Sequence, residues 1–255
     1  FVHSGEFVQF RKRRYGASSA GIPGDRFVIF NMNHDQVGNR PLGERLSMLV
    51  DFDRLKVAAA AMFFAPYIPM LFMGEEYGDR SPFFYFVSHS DKALIEAVHK
   101  GRREEFKNFR DEGDPADAQD INTFERSRIK WAAREKGEHA MLLLWHRELI
   151  LQRRTIPALQ NFRKDDIRVH LVNESCMMIL RQCSNGTGNT ICLLNFDDRP
   201  IECSIPFQPR SWQKVLDSKD PRWAGRLDDQ VMPEIIQGHD PFILAGLAAV
   251  IYKAL

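Results

Sequence analysis

The order of apolar and polar positions divides the chain into two textures. Phe27-Val28-Ile29-Phe30 is a short continuous apolar run after the turn signal Pro23-Gly24-Asp25, the pattern of a strand buried on both faces of a parallel sheet. A polar stretch, residues 31–43, follows it. Leu46, Leu49, Val50, Leu55, Ala58, Ala59, Met62 and Phe63 then recur at helical spacing up to Pro66, which predicts one helix. A second apolar run, Met70-Leu71-Phe72-Met73, predicts a second buried strand and ends in Gly74-Glu75-Glu76-Tyr77-Gly78. Strand, polar loop, helix, strand, polar loop is the repeat of a β/α barrel.

Two such units do not close a barrel. Burying a Val, Leu, Ile, Phe or Met side chain is worth about 1.5–3 kcal/mol, or about 9–18 kcal/mol for Val28, Ile29, Phe30, Met70, Leu71 and Phe72 together. That matches the net stability of a whole domain, about 5–15 kcal/mol. The expectation is that neighbouring strands come from the rest of a parent chain. Further on, residues 91–119 are charged; Lys100 to Glu105 and Asp111 to Pro115 read as a solvated surface. Met141, Leu142, Leu144, Trp145, Leu149 and Ile150 predict an amphipathic helix that stops before Pro157.

After Phe162 the texture changes to short apolar runs at Val169–Val172, Met177–Leu180, Ile191–Leu194, Ile201–Ile205 and Ala248–Tyr252. Turn clusters separate them, Ser184 to Asn189 and Asp197 to Pro200 among them, as in a small antiparallel β domain. The expected organisation is α/β: residues 1–162 as the last β/α units of a barrel, and 163–255 as a C-terminal all-β sandwich.

Composition narrows this little. Of 255 residues, 44% are hydrophobic and 27% charged, with 35 Lys plus Arg against 34 Asp plus Glu. That near-neutral balance calls for neither nucleic acid nor an anionic membrane as partner. The basic run Arg11-Lys12-Arg13-Arg14 reads as a loop at the barrel mouth. Cys176, Cys183, Cys192 and Cys203 form no CxxC pair, so reduced cysteines, and with them a cytoplasmic location, are expected. The histidines are scattered and suggest no metal site. The chain starts at Phe1 without a start-up motif, which reads as part of something longer.

The chemistry concentrates in Asn33-His34-Asp35-Gln36, at the C-terminal end of the first predicted strand, where β/α barrels build their sites. A carboxylate beside a histidine and two amides suits a polyhydroxylated ligand. Alone, the triplet has a plainer reading: Asp35 as the cap of the following helix, beside a satisfied histidine. Arg40 could orient Asp35, bind sugar, or sit in a surface ion pair. Tyr77, Phe83 and Phe84 could stack on sugar rings or simply pack.

An apolar strand ending in Asn-His-Asp resembles the fourth conserved region of the α-amylase superfamily. The extension Asn33 to Arg40, with Leu71 to Gly78, is similar to the trehalohydrolase branch of that superfamily. Arg13-Arg14-Tyr15-Gly16, Ser81-Pro82-Phe83-Phe84, Gly101 to Phe106 and Trp145 to Ile150 agree with it. The resemblance implies a retaining α-glycosidase on a (β/α)8 barrel, without cofactor, cleaving the α-1,4 bond beside the trehalose end of maltooligosyl trehalose. Three carboxylates serve such a reaction. Asp35 matches the one that supports the oxocarbenium-like transition state. His34, Asn33, Gln36, Arg40, Glu76, Tyr77 and Arg14 are the implied substrate-binding residues. The nucleophile and acid/base belong to earlier strands, so this chain is expected to hold one carboxylate of three. Two rivals stand beside this reading, a glucan branching transferase and a non-catalytic sugar-binding fragment.

Overall fold

A computed structural model describes residues 3–106, 115–183, 188–207, 211–223 and 231–255. The charged positions 111–114 and the turn positions 184–187 lie outside the described residues. The chain opens with a hairpin of β1 (Ser4–Val8) and β2 (Arg13–Gly16), so the basic run is the hairpin's turn and second strand, not a loop. Lys12 takes the left-handed conformation at φ 51° that closes this turn.

β3 (Val28–Ile29) and β4 (Ile68–Pro69) pair in parallel, with Ile68 N donating to Phe27 O and Met70 N to Ile29 O. Both strands are shorter than the apolar runs suggest, and β4 precedes the expected 70–73 segment, which is irregular. None of the six apolar side chains expected to be buried is fully so; Val28 is 53% exposed. The physical reason is that each strand has one strand neighbour among the described residues and an open far side.

The single helix expected from Leu46 onward is two. α1 (His34–Gly38) comes first, then α2 (Leu46–Leu49) and α3 (Phe52–Phe64). Asp51 divides the latter pair: its carboxylate accepts from Arg54 N at 2.9 Å and starts a new helix. α3 ends at Phe64, with Ala65 as its extended C-cap ahead of Pro66. α4 (Lys92–Glu105) buries no residue, α5 covers Ile121–Arg126, α6 Gly137–Thr155, and α7 Pro157–Gln160.

Beyond Phe162 the described residues form strands and short 3-10 turns. β5 (Ile167–Leu171), β6 (Cys176–Arg181), β7 (Thr190–Asn195), β9 (Ser211–Asp217), β10 (Ile235–Gln237) and β12 (Ala248–Ala254) make one antiparallel sheet in the order β10-β9-β12-β7-β6-β5. β8 (Ile201–Cys203) and β11 (Phe242–Leu244) form a separate pair. β7 is buried along its whole length because both sheet faces are covered. Cys192, Leu194, Leu216, Ala249 and Ile251 share a core with Val57, Phe64, Leu142, Trp145 and Leu149 of α3 and α6. Ile191, Leu193, Trp212, Val250 and Tyr252 pack with Cys203 and Leu244 from the β8–β11 side. Trp145 Nε1 donates to Lys56 O at 3.0 Å and meets Trp223 edge-on at 5.6 Å. All four cysteines are free thiols. No helix among the described residues is long and apolar enough to cross a membrane.

Candidate active site

β3 delivers the chain to a turn whose form is set by its own side chains. Asn33 is extended and caps α1, its Oδ1 accepting from Gln36 N at 2.8 Å. The capping role weighed from sequence is real, but Asn33 holds it and Asp35 does not. Val37 and Gly38 are buried beneath the turn, while His34, Asp35 and Gln36 face out. His34 Nε2 lies 3.4 Å from Asp35 Oδ1, and the two side chains are 71% and 74% exposed. An open carboxylate beside an imidazole, carried on a capped helix start, can accept hydrogen bonds from vicinal hydroxyls and stabilise developing positive charge.

The loop after β4 reaches the same end of the strand pair. Asn31 Nδ2 donates to Glu75 Oε1 at 3.2 Å, and Phe72 N donates to Glu75 Oε2 at 2.9 Å. Burial raises the Glu75 carboxyl above its usual range, with those two hydrogen bonds working against it. Glu75 is thus a buried strut between the two polar loops. Glu76 is half-buried in the 3-10 turn Glu75–Tyr77.

Tyr77 corrects the sequence reading. It is fully buried, with its hydroxyl on Asp79 Oδ2 at 3.1 Å and its ring against Trp131, so no sugar face can reach it. Gly74 (φ +83°) and Gly78 (φ +67°) bracket the turn; a Cβ on Gly74 would come within 2.9 Å of Asp79 Cβ. The turn therefore rolls Tyr77 inward. Phe83 joins an edge-to-face series, Phe72, Phe83, Phe86 and Phe124, and Phe84 is buried under Arg126. Both pack.

Arg40 Nε is 3.3 Å from Glu44 Oε2, the surface ion pair that was one of its three readings. Arg14 lies on the hairpin and gives Nη1 to Gly5 O at 3.1 Å; no described contact joins it to residues 33–36. None of the described cavities is lined by residues 33–36.

Sequence reasoning missed the charges that hold the loop. Arg45 is buried, donating to Ser81 O at 2.6 Å and Met73 O at 2.7 Å over the Phe72 ring. Burial lowers its pKa, with the nearby carboxylates opposing. Asp79 is buried as well, accepting from Ser81 N at 2.6 Å and Lys130 N at 2.7 Å. Nothing in a one-dimensional pattern separates these from solvated charges. Among the described residues no group of His, Cys, Asp and Glu could hold a metal ion.

No family model matches the sequence. The chain is 38% identical over 211 residues to the malto-oligosyltrehalose trehalohydrolase of Rhizobium sp. (strain M-11), an alignment that takes in 81% of this chain and 34% of that enzyme. It is 46% identical over 131 residues to the enzyme of that name from Saccharolobus solfataricus, covering 51% of this chain and 22% of the relative. The chain therefore spans about a third, or less, of the length of these curated relatives. Among solved structures, a candidate alpha amylase from Salmonella typhimurium superposes over 100% of this chain and 40% of its own, with TM-score 0.80 and 29% identity. The alpha-amylase of H. orenii, at 15% identity and TM-score 0.51 over 89% of this chain and 40% of its own, shares the fold.

Proposed function

We propose that this chain, which is related in sequence to the malto-oligosyltrehalose trehalohydrolases, forms part of a retaining glycoside hydrolase that releases trehalose from maltooligosyl trehalose. Residues 1–162 supply the last β/α units of its (β/α)8 barrel, and 163–255 a C-terminal β-sandwich. The observation that carries the reading is the open His34–Asp35 pair on the capped turn after β3. In this reading Asp35 accepts hydrogen bonds from sugar hydroxyls and supports positive charge at the anomeric carbon as the α-1,4 bond breaks. His34 and Gln36 flank it, Glu76 lines the neighbouring loop, and Arg14 and Arg40 lie further out. Nucleophile and acid/base come from earlier strands of the parent chain, whose side chains also cover Val28 and Met70. The substrate is a malto-oligosaccharide; nucleic acid and membrane have no part, and the protein works in the cytoplasm.

The test is the full-length protein with maltooligosyl trehalose as substrate. Trehalose release without new α-1,6 branches is expected, and Asp35→Asn should lower kcat about 10²–10³-fold, the usual cost of one electrostatic stabiliser. Branching without trehalose release would instead make it a glucan transferase. Full hydrolysis by residues 1–255 alone would overturn the assignment of two carboxylates to the parent chain.

A further inference from the structure

We propose that Arg102 is a positioning residue for Asp35, clamping the far end of the helix that presents it; the proposal rests on the role given to Asp35 above. α1 has five residues, and a helix that short does not hold itself together in water. Its geometry is imposed from outside. Asn33 fixes the first turn, Val37 anchors the underside, and the last carbonyls remain to be held.

Arg102 holds them from a distance of more than sixty positions in sequence. Its Nη2 donates to Gly38 O at 2.9 Å and its Nη1 to Asn39 Oδ1 at 3.1 Å. Asn39 is the C-terminal cap of α1, and its own N–H returns to Asp35 O. One guanidinium therefore reaches the helix end both directly and through the residue bonded to the Asp35 backbone. A cation at that end also complements the carbonyl dipoles.

The guanidinium is itself fixed. It lies 5.0 Å from the Tyr85 ring centre and 4.6 Å from that of Phe106, with Glu105 Oε2 at 3.1 Å. Its side chain is 16% exposed on a helix that otherwise buries nothing. A planar, forked donor between two rings is a role that a lysine fills incompletely. Nothing else described bonds to the side chains of His34 and Asp35 except each other. Their aim depends on the attitude of α1, and a displacement of about 1 Å at such a group costs about 10²-fold in rate.

Arg102→Met and Arg102→Lys in the full-length protein test this, with kinetics on maltooligosyl trehalose and hydrogen exchange followed in the same full-length protein. Arg102→Met should lower kcat about 10- to 100-fold while KM changes less than about threefold. Arg102→Lys should recover part of the loss. Amides of residues 35–39 should exchange at least about tenfold faster in Arg102→Met, with β6 and β7 unchanged. A kcat within about twofold of wild type, or unchanged exchange at 35–39, refutes the proposal. Faster exchange throughout the molecule refutes it too, because the residue is then a general support. If the wild-type protein releases no trehalose, the function proposed above fails, and exchange at 35–39 alone decides whether Arg102 clamps α1.

Discussion

Replacing Asp79 with alanine should loosen the loop beside the candidate site, by an amount its hydrogen bonds set. The buried carboxylate accepts from Ser81 N, Lys130 N and the Tyr77 hydroxyl. Alanine strands the buried Ser81 N–H and the buried Tyr77 hydroxyl at about 1–3 kcal/mol each, while the partly exposed Lys130 N–H loses less. The carboxylate's desolvation cost disappears with it, which trims the sum to about 2–4 kcal/mol. At about 2–4 °C per kcal/mol for a chain this long, Tm falls by about 4–16 °C. Burial pushes the Asp79 carboxyl up, and its hydrogen bonds outweigh that and hold it below the usual range. A carboxyl lowered on folding stabilises above its unfolded pKa, and that contribution fades as pH falls through the folded one. Wild type and Asp79→Ala should therefore converge on acidification. Urea unfolding at several pH values checks this, with Tyr77→Phe as a control losing about 0.5–1.5 kcal/mol. A difference under about 0.5 kcal/mol at neutral pH, or one that widens in acid, refutes the reasoning.

Burial holds the His146 imidazole down to about 4 from 6.5, against the pull of the Leu142 carbonyl. The unfolded chain takes up that proton first as pH drops from 6.5 to 4, so folding should weaken by up to about 3 kcal/mol across the window. His146→Leu should flatten that slope in urea titrations; an unchanged slope assigns the acid sensitivity elsewhere. Buried Lys56 donates to Ser218 O at 2.6 Å and Trp223 O at 3.2 Å and pairs with Asp53 at 2.9 Å. Lys56→Met should cost about 2–4 kcal/mol. The loss should appear as one cooperative transition by tryptophan fluorescence; two separated transitions would contradict the shared core.

Much of the fold was legible where one period governed a segment. β5, β6, β7, β8 and β12 fall on the five short runs after Phe162, and α6 on its apolar stripe. Leu144 and Ile150, in the same stripe, stay more than a third exposed, because period identifies a face and not how much of it is covered. β9 escaped notice because a register shift against β12 breaks the alternation and because it carries Lys214 and Asp217. At the site, the order of polar residues after β3 was readable. The inward roll of Tyr77 was not, since it depends on two left-handed glycines. Arg45, Asp79 and Arg102 look in sequence like any solvated charge; Arg45 and Arg102 acquire meaning from partners dozens of positions away, and Asp79 from Lys130 together with its near neighbours Tyr77 and Ser81.

The place of β12 in the sheet has a consequence in time. Among the described residues β7 and β9 meet only through it, so until residues 248–254 are made the sheet exists as two unjoined pieces. The apolar faces of α3 and α6 that share its core wait with them. The strand that completes the helices' cover is therefore synthesised after every other described strand of its sheet. Such long-range closure is slow, and it leaves the nascent chain dependent on shelter from its neighbours over that interval.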